Sequence, residues 1–151
     1  MKIDFYFSYR SPYSYLILPR VLDLKNNYKI DINFKLVYPL AIREPEFFKG
    51  KNFLTYFFYK IRDMRSVAKQ LDMPFFTPRP DPIKQSYLTG KIADDQPYIF
   101  DLCHIGQQAA QEGLGIEVAY ELSSLIFGTK GGWNEESTLD KAFAKVGLNY
   151  S

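Results

Sequence analysis

Two short stretches of alternating residues, joined by one helix, limit what this chain can fold into more than any other feature. Over residues 2–9, Ile3, Phe5, Phe7 and Tyr9 fall on one face and Asp4, Tyr6 and Ser8 on the other. Over residues 30–37, Ile30, Ile32, Phe34 and Leu36 oppose Asp31, Asn33, Lys35 and Val37. A period of two marks a strand with two unlike faces. Between the stretches, Ser11-Pro12 reads as a helix start, with a hydroxyl at the cap and a proline in the first turn, where its missing N–H costs nothing. The helix predicted from there carries Tyr15, Leu16, Leu18, Val21, Leu22 and Leu24, and Asn26-Asn27 ends it. Pro19 should kink it, because proline cannot donate to the carbonyl of Tyr15. A strand, a helix and a strand this close together make a right-handed parallel unit the default.

Beyond residue 40 the pattern turns helical. Phe53, Phe57, Ile61, Met64, Ala68 and Leu71 share one arc of a helix over 52–71, which Met73-Pro74 stops. Residues 72–97 hold prolines 74, 78, 80, 82 and 97 and read as a long ordered loop or lid. Helices are predicted over 98–112 and 116–127. A last one follows the capping signal Ser137-Thr138-Leu139-Asp140 and buries Leu139, Ala142, Phe143 and Val146. The expected organisation is a βαβ part over 1–40 and a helical part over 41–151, packed as one unit.

Composition removes several function classes. With 19 basic and 17 acidic residues the net charge is +2, too even for a nucleic-acid surface, which needs a concentrated basic face. No apolar stretch approaches the roughly 20 residues that span a bilayer. Cys103 is the single cysteine, so no internal disulfide and no Cys-x-x-Cys pair can form, and a reducing, cytoplasmic location is the default. Cys103 and His104 are adjacent, so on a helix their side chains diverge; neither a thiol–imidazole pair nor a metal site is expected. Aromatic residues make up 17% of the chain, which supplies a core first and flat-ligand neighbours second.

The turn at Ser11 is the best place for chemistry. A helix amino end presents unpaired N–H groups and partial positive charge, so an anion, including a thiolate, is favoured there. Read alone, Ser11 is a helix cap. Asp63 is the second candidate, a carboxylate on the flank of the 52–71 helix that it shares with Tyr56; read alone, it is a solvated charge.

Read as a longer string, Asp4-Phe5-Tyr6-Phe7-Ser8-Tyr9-Arg10-Ser11-Pro12-Tyr13-Ser14-Tyr15-Leu16 resembles the opening of the 2-hydroxychromene-2-carboxylate isomerases and of the kappa-class glutathione transferases. Both belong to the DsbA-like branch of the thioredoxin fold, an α/β fold with a helical insertion after the second strand. The stretch from Asp63 to Pro74, followed by Phe76 and Pro78, is similar to theirs in spacing, and residues 116–148 look like their last insertion helices. The resemblance implies that Ser11 and Ser14 stand where disulfide oxidoreductases of the fold carry cysteines, which removes dithiol exchange. It implies that Ser11 donates to the thiol of bound glutathione, with Pro12, Tyr13 and Asp63 in or beside the glutathione site. The implied partner is a small aromatic or conjugated electrophile, for which Tyr13, Phe57 and Tyr59 could line a pocket. A homodimer is the expected assembly.

This chain also departs from the pattern. Tyr56 stands where many relatives have lysine, and Ser66 where the isomerases often have arginine, with Arg65 beside it. The family continues with further strands, a cis-proline and a Gly-x-Asp-Arg-like stretch that holds glutathione. The expectation is therefore a chain lacking the C-terminal strands of the family, weak in glutathione affinity and inactive if truncated. A non-catalytic binding or assembly module is the alternative from a different class.

Overall fold

The alternation at residues 2–9 and 30–37 becomes two parallel strands, β1 (Lys2–Phe7) and β2 (Asp31–Leu36), paired from Lys2 with Asp31 to Phe7 with Leu36. The computed structural model describes residues 1–48, 52–86 and 88–148. Residues 149–151, at the end of the expected helical part, and the side chain of Phe53, on the expected apolar arc, lie outside that description. The register stacks Ile3 with Ile32, Phe5 with Phe34 and Phe7 with Leu36 on one face. Lys2, Asp4 and Tyr6 face Asp31, Asn33 and Lys35 on the other. The first face is apolar and joins the core, where the Phe7 and Phe34 rings lie 5.5 Å apart. The second is a polar ladder in which Asp4 accepts from Asn33 at 2.7 Å and from Lys35 at 2.8 Å. The hydrogen bonds from Lys35 and Asn33 hold the Asp4 carboxyl below its usual range. Parallel sheets buried on both faces read as unbroken apolar runs, so this alternation belongs to a sheet with one wet face.

The helices are α1 (Pro12–Asn26), α2 (Leu40–Arg43), α3 (Phe53–Gln70), α4 (Ile99–Gln111), α5 (Gly115–Gly128) and α6 (Glu136–Lys145), with a 3-10 turn at Pro45–Phe48. α1 runs through Pro19 without interruption and is capped by Asn27. α5 is the hub. It buries Ile116, Val118, Ala119, Leu122, Ser123, Ile126 and Phe127, and α1, α4 and α6 all pack on it. Tyr15 of α1 stacks on Phe127 at 5.6 Å, and Phe75 stacks on the same ring at 6.2 Å. Two hydrogen bonds tie this knot: Tyr15 Oη donates to the Pro74 carbonyl at 3.0 Å, and the Phe76 N–H donates to that of Phe127 at 2.7 Å. At the other end of α1, Lys25 reaches Glu117 of α5 at 2.5 Å.

β1 ends at Phe7, two residues before the alternation does, because the chain already turns: the Ser11 N–H donates to the Ser8 carbonyl at 3.0 Å. Tyr9 still faces inward, edge-on to Phe7 at 5.0 Å, and lies against Gly106 of α4. One sequence expectation is corrected. The last helix is not capped by Ser137. Its cap is Glu135, whose carbonyl accepts from Thr138 at 2.9 Å and from Leu139 at 3.0 Å, and Ser137 lies inside the first turn. Leu139, Ala142 and Phe143 are buried as expected, and Val146 is partly buried.

The proline-rich segment between α3 and α4 is irregular but well tied. Pro82 and Ile83 are buried, and the Pro80 carbonyl accepts from buried Trp133 at 2.7 Å. Gln96 clasps the segment, accepting from the Lys84 N–H at 2.9 Å and donating to the carbonyls of Lys84 and Ala93. Cys103 is buried in α4, where desolvation pushes its thiol up to about 12, while His104 beside it is exposed.

Candidate functional site

Ser11 is the N-cap of α1, and its Oγ accepts from the Ser14 N–H at 3.2 Å. Its carbonyl accepts from the Tyr15 N–H at 3.2 Å. Pro12 brings no N–H, so the Tyr13 N–H is the first free donor of the helix, with no acceptor among the described residues. The Ser11 hydroxyl accepts through its oxygen and keeps its own hydrogen to donate. Both donors sit at the positive end of a helix of 15 residues, beyond the carboxyl end of β1, where open parallel sheets place ligands.

This helix start opens onto a cavity of about 390 Å³. Ser11, Pro12, Tyr13 and Ser14 form one side. Val37 and Pro39 come from the link between β2 and α2, Leu40 and Ala41 from α2 itself, and Tyr56, Phe57, Ile61 and Met64 from α3. Phe75, Thr77, Pro78 and Phe127 add to the lining from the proline-rich segment and α5. The lining is largely apolar, as in most small-molecule sites. Of the aromatics expected to face a ligand, Tyr13 and Phe57 are on the wall. Tyr59 points outward and is 66% exposed.

Asp63 is not on the lining itself but is bonded to a residue that is. Its Oδ2 accepts a hydrogen bond from the Tyr13 hydroxyl, so two residues singled out separately in the sequence meet across the gap between α1 and α3. Burial, and then this bond to Asp63, push the Tyr13 phenol up to about 12. Lys60 stands one helical turn beyond Tyr56, with its ammonium 4.8 Å from the Tyr13 ring centre and 5.6 Å from that of Tyr56. The position where a relative would place lysine is thus a tyrosine, and a lysine from the next turn leans over its ring.

Sequence reasoning missed four charged groups on the lining: Arg10, Arg43, Lys60 and Asp81. Arg10 and Asp81 form a two-pronged ion pair, Nε to Oδ1 and Nη2 to Oδ2, both at 3.1 Å. Arg43 donates from Nε to the Tyr38 carbonyl at 2.9 Å. Arg10 could have been noticed as the neighbour of Ser11; Asp81, 71 residues away, carried no local signal. Among the described residues, no group of three or more His, Cys, Asp or Glu side chains could hold a metal ion, and no helix is long and apolar enough to cross a membrane.

The arrangement can hold an anionic or nucleophilic atom at the start of α1 and a flat apolar group against the aromatic wall. Comparison with known proteins agrees with the fold. No curated protein matches the chain. Its structure is similar to that of a solved 2-hydroxychromene-2-carboxylate isomerase, with a TM-score of 0.70 at 19% sequence identity. The match covers 99% of this chain and 67% of the other, and at that identity it speaks for the fold alone. A family model described as a DSBA-like thioredoxin domain matches residues 2–151. The expectation drawn from the opening string is borne out at that level: the chain belongs to the DSBA-like thioredoxin domain family.

Proposed function

We propose that this chain carries a glutathione-dependent isomerase site of the 2-hydroxychromene-2-carboxylate type. The observation that carries the reading is the start of α1, where the Ser11 hydroxyl hydrogen and the Tyr13 N–H stand ready to donate beside an apolar cavity.

The residues fit glutathione in size and charge. The cavity falls within the roughly 300–1,000 Å³ usual for small-molecule sites. Arg43 and Lys60 on its lining have no carboxylate partner among the described residues, which suits a tripeptide with two carboxylates. When bound, glutathione supplies a thiolate that adds to a conjugated double bond, lets it rotate as a single bond, and is expelled unchanged. Everything else falls to the protein. Ser11 donates to sulfur and, with the α1 dipole, favours the ionised form of a thiol that is otherwise mostly protonated at neutral pH. Tyr56 and Phe57 hold a flat electrophile and exclude water, so orientation and preorganised donors do the catalytic work. Asp63 supports the site by fixing the Tyr13 ring at the rim. A reducing, cytoplasmic setting belongs to the same reading, since no sulfur at the turn depends on oxidation.

A second reading, a non-catalytic assembly module, draws on the outer surface of α3, where Phe58 is 63% and Tyr59 66% exposed. Titration calorimetry with millimolar glutathione separates the two. The isomerase reading expects binding by the wild-type chain, and a several-fold loss with Ser11→Ala. No heat in the wild type, together with a cooperative dimer indifferent to glutathione, sinks it in favour of the assembly module.

A further inference from the structure

We infer that Arg10, steered by Asp81, is a second group that favours the thiolate at this site. The inference rests on the glutathione reading just given.

Arg10 directly precedes Ser11, and Arg10, Ser11 and Asp81 line the same cavity. The ion pair uses the Nε and Nη2 edge of the guanidinium. An arginine has five N–H donors, so three remain, and they have no partner among the described residues. The pair is partly withdrawn from water, each side chain being 19% exposed. Removing charges from water is unfavourable, and such a pair is weak support for stability alone. Nor does the segment around Asp81 depend on it, since Trp133, Ile83 and the Gln96 clasp already hold that stretch. Asp81 itself is fixed, because Oδ1 also accepts from the Ile83 N–H at 3.0 Å. It is therefore a positioning residue: it keeps the guanidinium from swinging out to solvent and leaves the free edge available.

The other charged groups on the lining do not compete. Arg43 of α2 and Lys60 of α3 are cations of the same sign, and Asp81 is the one carboxylate there among the described residues. Tyr6, Tyr38 and Tyr56 are phenols on other elements, and Tyr13 is a neutral phenol at neutral pH, its ionisation pushed further up by burial and then by its bond to Asp63. Across a cavity this small, an arginine half-cancelled by its partner should lower the midpoint of a bound thiol by about one pH unit, the low end for a nearby opposite charge.

The test is an ultraviolet difference titration of the thiolate of glutathione bound to the full chain. Arg10→Met is expected to raise the midpoint by about one unit, and Arg10→Lys to restore most of it. Asp81→Asn removes the opposing charge while its amide oxygen still accepts from the guanidinium, and is expected to lower the midpoint. Should Arg10→Met not fold, Asp81→Asn decides: a midpoint it leaves unchanged makes the pair merely structural and overturns the inference, whereas one it raises shows the guanidinium released from the thiolate and supports it. An unchanged midpoint in Arg10→Met with glutathione bound also overturns the inference. Absence of glutathione binding in the wild type is a different failure. It removes the parent reading, and this inference goes with it.

Discussion

α1 and α3 border the same cavity and are held there in opposite ways. α1 buries Tyr15, Leu16, Leu18 and Val21 and packs along α5. α3 is longer, at 18 residues, yet among the described residues its fully buried apolar side chains are Met64 and Ala68, both in its second half. Its first half exposes Leu54, Tyr56, Phe58 and Tyr59. The turn that would do chemistry therefore sits on the rigid part of the molecule, and the wall that would meet the electrophile sits on the more lightly anchored part. That division suits a site in which donors must be fixed to fractions of an ångström while the acceptor wall can yield.

Three substitutions sharpen or break this contrast. The largest effect is expected of Phe127→Ala, which empties the stack between Tyr15 and Phe75. A buried phenylalanine truncated to alanine costs about 3–5 kcal/mol, and urea unfolding measures it. A loss below about 1 kcal/mol would mean that the seam between α1 and α5 is not the anchor described here. Next comes Gly106→Ala. A Cβ at Gly106 would stand 2.7 Å from the Tyr9 hydroxyl, in a region where both partners are buried. Overpacking of this kind costs about 1–3 kcal/mol, read as a drop in Tm; an unchanged Tm would show that the β1 turn moves freely against α4. The smallest effect is expected of Phe58→Ala, within about 0.5 kcal/mol of wild type by the same urea assay. A larger loss would show that the outer face of α3 is covered in solution, and the contrast between the two helices would fall.

The sequence carried the local rules and missed the long-range partnerships. Alternation revealed both strands and the faces they present, because period two survives any context that buries one side. Ser11-Pro12 revealed the start of α1, because capping is chemistry within four residues. The last helix shows the limit of such rules: Ser137 had the right chemistry, yet the turn closed by Glu135 donating to the Gly132 carbonyl sets the cap two residues earlier. The site was half visible. Ser11 and Tyr13 stood out in one string, and Asp63 stood out by spacing. That Asp63 meets Tyr13, 50 residues away, and that Arg10 meets Asp81 follow from how α3 and the proline-rich segment fold back, which no short pattern encodes. Lys60 carries no local signal either, since its place over the Tyr13 ring depends on α3 packing beside the start of α1.

The burial of Cys103 has a practical consequence. It is the single sulfhydryl in the chain, 5% exposed, and its ionisation is displaced to about 12. In the native protein near neutral pH it offers almost no thiolate to an alkylating dye. Any fast thiol signal from a mixture of this protein and a sulfur ligand therefore comes from the ligand, and a slow one clocks the opening of α4. The protein's own thiol is unreactive where that of its proposed partner reacts, so the behaviour of a single sulfur atom can be followed without mutating Cys103 away.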